Sequence, residues 1–305
     1  MNLGLIGYSK DNGHPFSFSA IINGYNRDNI HLNPVTPIND YLLIQPKVMF
    51  GIGNFKVTHV WTQDKVISTA ISLYANINTI VEDYIQMVDE VDGLLILRDD
   101  MHMEIAAPFL KKGKFVFIDK PLATQSEEIE FFKPYLESGH LMSCSGLRFF
   151  PEIVKLKESF NEVSKELKFA YCTTVNNWFN YGIHSIEGLM LITGGDFEYI
   201  QYSGNSEVNQ YVIMYKSGFY LLVNLVNGYN GGIRSHIYCR TREPIQVYFN
   251  DNFNSFRNTM MEFHKQVVTG IPAIPPQQTM AIMKLLMAGA QSYKLNGKKI
   301  FLNEE

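Results

Sequence analysis

The sequence predicts an α/β protein with two parts: a doubly wound parallel sheet, then an α/β domain with a large, mostly antiparallel open sheet. Three observations carry this. Over residues 1–122 short apolar runs alternate with longer amphipathic ones, the pattern of a parallel sheet wrapped by helices. After about residue 123 the strands lengthen and alternate in polarity, as strands buried on one face do. The chain has 305 residues, 46% hydrophobic and 18% charged, enough to bury a core and far from the composition of disordered chains. The boundaries expected are 1–122 and 123–305.

The first strand is Leu3 to Ile6, followed by a helix from Phe16 to Gly24. The stretch from Asn26 to Asn54 is long for a connection inside a βαβ unit and carries Pro34, Pro37 and Pro46, which makes it an insertion or a lid. Val57 to Thr62 is a strand, with helical patterns over Lys65 to Tyr74 and Ile80 to Val88. Gly93 to Leu97 is too short for a buried helix and is taken as a strand, before a helix from His102 to Lys112 that Gly113 closes. Phe115 to Ile118 is a further buried strand, and Thr124 with Glu127 has the spacing of a capping box for a helix to about Glu137. Beyond it, Lys168 to Val175 and Tyr211 to Tyr215 alternate, and Ser217-Gly218 marks a hairpin turn before Tyr220 to Leu225. Helical segments fall at Glu152 to Glu162, Gly182 to Thr193, Phe256 to Thr269 and Thr279 to Lys294, and Lys299 to Leu302 is a last strand.

Lys plus Arg number 26 and Asp plus Glu 30, a net charge of −4 with the charges scattered. The lack of a basic patch argues against a nucleic-acid partner. The three cysteines, Cys144, Cys172 and Cys239, are widely spaced and form no CxxC pair, so neither a metal site nor a disulfide framework is expected. No stretch reaches about 18 uncharged apolar residues and the N-terminus has no basic leader, so no membrane span is expected and the cytoplasm is the expected location.

A strand ending at Gly7 and followed by a helix is where a dinucleotide-binding turn would sit, because backbone N–H groups and the helix N-terminus attract a pyrophosphate. The turn reads Gly7-Tyr8-Ser9-Lys10-Asp11-Asn12-Gly13-His14-Pro15. Ser9 stands at the second glycine position, and the turn is longer than the GxGxxG fingerprint. Gly7, Tyr8, Ser9, Asn12, Gly13 and His14 are the candidate cofactor contacts. An ordinary loop, with Asn12-Gly13 as the turn and Pro15 starting the helix, accounts for the same glycine and proline. At the end of the second strand Thr62 and Asp64 are the candidates for the ribose hydroxyls, with NAD and NADP not separated.

Further along, the run from Val91-Asp92-Gly93 through Arg98-Asp99-Asp100-Met101-His102 leads to Gly113-Lys114-Phe115-Val116-Phe117-Ile118-Asp119-Lys120-Pro121. Ser145-Gly146-Leu147-Arg148-Phe149-Phe150-Pro151, Gly182-Ile183-His184 with Glu187, and Ala288-Gly289-Ala290-Gln291-Ser292 follow in order. Together these resemble the glucose-fructose oxidoreductase, inositol dehydrogenase and MocA (Gfo/Idh/MocA) family. Asp119-Lys120-Pro121 stands where that family has Glu-Lys-Pro, and Gly182-Ile183-His184 is similar to its Gly-x-His helix start.

The resemblance implies a Rossmann domain holding NAD or NADP and a second domain whose open sheet makes a homo-oligomer, dimer or tetramer. It also implies hydride transfer to or from a carbohydrate-derived small molecule: a sugar, cyclitol, sugar acid or nucleotide-linked sugar. Oxidising such an alcohol requires a group that takes the hydroxyl proton, and an imidazole titrates in the right range for this. His184 is the candidate. Lys120, at the carboxyl end of a parallel strand, is placed to hold the hydroxyl and, by the resemblance, the cofactor ribose. Asn180 stands four residues before His184 where family members usually have Asp, and its amide can orient a hydroxyl but carries no charge. Arg98, Asp99 and His102 are candidates for the cofactor groove, with helix capping an equal account of His102 and a solvent-facing position an equal account of the charges. Arg148, Trp178, Tyr181 and Glu187 are candidates for the substrate, with core packing the competing account of the aromatic rings. The rival to an oxidoreductase is a related binding or scaffold protein that has lost hydride transfer, or a lyase or epimerase that uses the cofactor without net redox.

Overall fold

The computed structural model describes residues 1–10, 12–159 and 166–302. The chain forms two compact units. The first comprises Met1–Leu122, Glu130–Ser143 and Phe256–Ile274, and the second Ala123–Ile129, Cys144–Ser255 and Pro275–Glu305.

In the first unit β1 (Asn2–Ile6), β2 (Lys56–Trp61), β3 (Thr79–Ile80), β4 (Gly93–Ile96), β5 (Phe115–Ile118) and β6 (Leu141–Ser143) form one sheet. Their order is β3-β2-β1-β4-β5-β6, and every pairing is parallel. The central strands are apolar without alternation because both faces are covered: Leu3, Leu5, Ile6, Leu94, Leu95, Ile96, Val116, Phe117 and Ile118 have no exposed surface. The helices α1 (His14–Asn23), α3 (Lys65–Ala75) and α4 (His102–Lys111) each connect consecutive strands or lie between them as expected. α3 starts where Asp64 accepts from the Val66 N–H and ends on Asn76 in the left-handed conformation.

Four local expectations change. Over Ile80 to Val88 there is no α-helix. Ile80 completes the two-residue edge strand β3, and a 3₁₀ turn over Tyr84–Asp89 follows, opened by a capping box between Asp83 and Gln86. The box restarts the chain at Asp83, which divides a run whose apolar spacing alone reads as one helix. Leu141–Ser143, past the point where the pattern becomes antiparallel, adds a sixth parallel strand beside β5. At the helix α5 (Ser126–Glu137) the capping carboxylate belongs to Glu128, which accepts from the Thr124 and Gln125 N–H groups at 2.8 and 3.1 Å, and not to Glu127. The stretch from Asn26 to Asn54 is a packed excursion containing α2 (Thr36–Leu43) between two 3₁₀ turns. It is tied to the unit by the Asn26 N–H on the Tyr74 carbonyl and the Gly51 N–H on that of Ile21, and Ile38 and Leu42 are buried.

In the second unit β7 (Leu167–Val175), β8 (Phe197–Gly204), β9 (Val208–Tyr215), β10 (Tyr220–Val226), β11 (Ile233–Cys239), β12 (Ile245–Phe249) and β13 (Ile300–Phe301) form a sheet ordered β12-β11-β7-β10-β9-β8-β13. Only β7 and β10 run parallel in it. The Ser217-Gly218 turn closes the β9–β10 hairpin, with Gly218 at φ +81°. The helices of this unit are α6 (Pro151–Ser159), α7 (Ile183–Thr193) and α9 (Pro276–Lys294), and α8 (Asn252–Thr269) leads back into the first unit. The expected helix over Glu152 to Glu162 is described to Ser159, and residues 160–162 lie outside the described residues. No helix among the described residues is long and apolar enough to cross a membrane.

Candidate active site

In an open parallel sheet ligands bind outside the carboxyl ends of the strands, where the strand order reverses; in the first unit this is between β1 and β4. The loops there carry most of the candidate cofactor residues. Gly7 has φ +91°, and its N–H bonds the Trp61 carbonyl at 2.9 Å. The Arg98 side chain lies over Gly7: a Cβ there would come within 2.7 Å of it. Tyr8 and Gln63 bond each other through backbone and side-chain amide groups, joining the turn to the end of β2. Ser9 Oγ accepts from the Asp99 N–H at 3.0 Å.

Asn12 is the centre of the turn. Its Oδ1 accepts from the His14 N–H at 2.9 Å, and its Nδ2 donates to Asp99 and Asp119 at 3.2 and 3.4 Å. His14 Nδ1 lies 2.5 Å from Asp119 Oδ2, and Asp119 Oδ1 accepts from the Lys120 N–H at 2.9 Å. Asp119 and Lys120, at the end of β5, are both buried. Burial alone would raise the Asp119 pKa, but the adjoining His14, and after it Lys120, outweigh burial and hold this carboxyl well below the usual carboxylate range.

A carboxyl whose folded-state pKa lies below its unfolded value of about 3.9 contributes stability above that pH and loses it as the pH falls further. Asp119→Asn is therefore expected to destabilise the first unit by about 2 kcal/mol near neutral pH, the scale of a charge-assisted hydrogen bond. The difference from wild type should shrink as the pH drops below about 4. Urea unfolding followed by Trp61 emission in a Trp178→Phe background measures this, and a difference that stays constant through the acid range contradicts it.

Arg98 bonds Asp100 at 2.6 Å through Nε. His102 is buried with its ring nitrogens 2.6 Å from the Arg98 carbonyl and 3.2 Å from that of Leu122. It thus ties the loop after β4 to the segment that follows Lys120. Buried Thr62 bonds Ser68 and the Asp64 carbonyl, and the Asp64 carboxylate caps α3.

In the second unit His184 stands on the first turn of α7, half-buried, with Nδ1 2.6 Å from Ser145 Oγ. Ser145 Oγ also accepts from the Leu147 N–H at 3.1 Å. The helix does not begin at Gly182: a wide π-type turn over Trp178–Gly182 precedes it, opened by Asn177, whose side chain accepts from the Asn180 N–H at 3.0 Å. Tyr181 is 40% exposed and sets its ring edge against His184. Trp178 is instead part of the core, stacked on Tyr211 with ring centres 3.9 Å apart and donating to the Leu286 carbonyl at 2.7 Å. Arg148 and Glu187, each 1% exposed, bond each other at 2.5 Å, and Arg148 also donates to Gln278. Burial holds the Glu187 carboxyl above its ordinary range although Arg148 opposes this.

Two neighbours of the candidate residues escape the sequence patterns, Asp119 at the end of β5 and Ser145 against His184, whereas Asp99, expected in the cofactor groove, bonds Asn12 and Ser9. Asp119 had a usable signal, a carboxylate directly after a fully apolar strand. Ser145 had none, since its partner is 39 residues away.

The sheet order 3-2-1-4-5-6 with crossover helices defines the first unit as a dinucleotide-binding Rossmann fold, joined in one chain to an α/β unit with a mixed, mostly antiparallel sheet. Residues 39–144 match the GFO_IDH_MocA family, described as an oxidoreductase family with an NAD-binding Rossmann fold. The matched stretch begins after the β1–α1 turn. No curated protein matches the chain. Among solved structures it is similar to scyllo-inositol dehydrogenase from Lactobacillus casei with bound NAD(H) and scyllo-inositol, at TM-score 0.77 and 12% identity, over 99% of this chain and 98% of that one. It is also similar to myo-inositol 2-dehydrogenase from Lactobacillus plantarum, at TM-score 0.75 and 12% identity over 99% of each chain. The myo-inositol dehydrogenase from Lactobacillus casei in complex with NAD(H) and myo-inositol gives TM-score 0.74 and 15% identity, over 100% of this chain and 97% of that one. At these identities the likeness is one of fold.

NAD is the family's cofactor, and its pyrophosphate calls for the N–H groups of the first turn of α1. In this chain those donors are engaged: that of His14 by Asn12, that of Phe16 by the Gly13 carbonyl at 3.1 Å, while Pro15 has none. In the conformation described, the turn does not fit a pyrophosphate.

Proposed function

We propose that the chain interconverts a secondary alcohol and its ketone on a sugar, cyclitol, sugar acid or nucleotide-linked sugar, with NAD or NADP as redox partner. The observation that carries this is a family-placed lysine, Lys120, buried at the carboxyl end of β5 directly after the ionised Asp119. In this reaction the Lys120 ammonium holds the alcohol oxygen and stabilises negative charge on it. His184, oriented by Ser145 at Nδ1, accepts the hydroxyl proton. The Asn180 amide orients a neighbouring hydroxyl, and the exposed Tyr181 offers a ring face to the sugar. The reading also makes the chain a cytoplasmic homo-oligomer, a dimer or tetramer. In its support, Phe169, Tyr220 and Tyr238 form an aromatic ladder on the seven-stranded sheet.

The test is a screen of inositols, sugars and nucleotide sugars with NAD and NADP, followed by the absorbance of the reduced nicotinamide. Substrate-dependent reduction is expected, and Lys120→Ala should lower it by about 10²-fold or more, the scale of one lost charge-stabilising donor. Absence of reduction with every substrate, in both directions, removes the proposal. The engaged donors of the β1–α1 turn favour a second reading, a family-like binding protein or a non-redox lyase or epimerase. Substrate turnover that leaves the nicotinamide absorbance unchanged is its signature.

A further inference from the structure

The β1–α1 turn is where this chain's own groups depart most from what its family's cofactor needs, and the departure is consistent across independent features. Of the four donors that a helix N-terminus ordinarily leaves unsatisfied, three, those of positions 14 to 16, are removed by Asn12, by Pro15 and by the Gly13 carbonyl. Asn12 is held from the other side by two carboxylates, Asp99 and Asp119, and Asp119 also takes His14 Nδ1. Two carboxylates therefore stand against the turn that a diphosphate would approach. Both glycines are packed against side chains: a Cβ on Gly13 would meet Ile38 and, at 3.0 Å, Val35 of the excursion, and one on Gly7 would come within 2.7 Å of the Arg98 stem.

We propose that the turn is latched by the Asn12–His14–Asp119 cluster, so that the first unit takes a nicotinamide dinucleotide only after the cluster has released its bonds. The cluster selects against a diphosphate in two ways, by occupying the helix donors and by presenting a carboxylate. A dinucleotide must displace the first and pay the repulsion of the second. The proposal rests on the first unit being the cofactor unit of an NAD-family oxidoreductase, and it adds that the wild-type affinity for the cofactor is low and set by named residues.

The experiment is calorimetric titration of the full chain with NAD, NADH, NADP and NADPH, comparing wild type with Asp119→Asn and Asn12→Ala. Asp119→Asn removes the charge. Asn12→Ala frees the His14 N–H without touching the charge, and serves if the first variant melts too early to titrate. Each is expected to bind at least one of the four cofactors about tenfold more tightly than wild type, a change of about 1.4 kcal/mol. Wild type binding as tightly as both variants overturns the latch and leaves the proposed reaction standing. No binding by any of the three proteins overturns both. Tight binding by the variants alone upholds the latch, and tight wild-type binding without any turnover removes the reaction and the latch separately, each by its own measurement.

Discussion

Arg148→Ala is expected to cost the second unit about 3–5 kcal/mol, the scale of removing one partner from a buried ion pair. Arg148 and Glu187 are each 1% exposed and bond each other at 2.5 Å, so the substitution strands a carboxylate in the interior and leaves Gln278 without its guanidinium. The Glu187 pKa is already raised by burial with Arg148 present. Without the arginine burial acts on the carboxyl unopposed and favours its neutral form, so the loss should diminish as the pH falls. The chain has two tryptophans, Trp61 in the first unit and Trp178 in the second. In a Trp61→Phe background Trp178 emission therefore reports urea unfolding of the second unit alone. Arg148→Met combined with Glu187→Leu should recover most of the loss, because replacing both charges removes the uncompensated one. A single-variant cost below about 1 kcal/mol, the value of an exposed ion pair, contradicts the buried pair.

His184→Ala is expected to lower turnover of the alcohol substrate by about 10²–10⁴-fold, the usual contribution of a positioned general base, with the fold retained because the side chain is only half-buried. Ser145→Ala tests the positioning. The Ser145 hydroxyl lies 2.6 Å from His184 Nδ1 and orients the imidazole. Its loss should lower kcat by a smaller factor and shift the limb of the pH–rate profile that reports the imidazole, whereas a purely structural serine would move the melting temperature and leave the profile in place. Steady-state rates over the neutral pH range measure both. An unchanged kcat in His184→Ala assigns the proton to another group.

Much of the fold is legible in the residues, and the reason differs between elements. β1, β4 and β5 are runs of consecutive apolar residues because both faces of the sheet are covered, and such runs announce themselves without partners. The hairpin at Ser217-Gly218 is equally local, since a positive φ selects glycine. Leu141–Ser143 is different: three residues carry no period, and only the open edge of β5 makes them a strand. The same holds for the site. Lys120 and His184 stand out because they end or start elements within a family-like order of motifs. The places of Arg148, Glu187 and Trp178 could not be read, because residue type is compatible with a ligand contact and with a buried partner alike. Arg148 met Glu187 and Gln278, and Trp178 met Tyr211 and the Leu286 carbonyl, across separations that carry no pattern.

The sequence by itself determined the alternation of strands and helices, the change to an antiparallel sheet and the resemblance to an NAD-binding oxidoreductase family, all of which depend on local periodicity and on motifs in order. It also showed that the glycine turn departs from the fingerprint. Only the tertiary structure decided what replaced that fingerprint, because the groups that now fill the turn come from the ends of β4 and β5 and from the excursion after α1. A turn's sequence specifies the donors it offers; which carboxylates and side chains arrive to consume them is set by the packing of strands far apart in the chain.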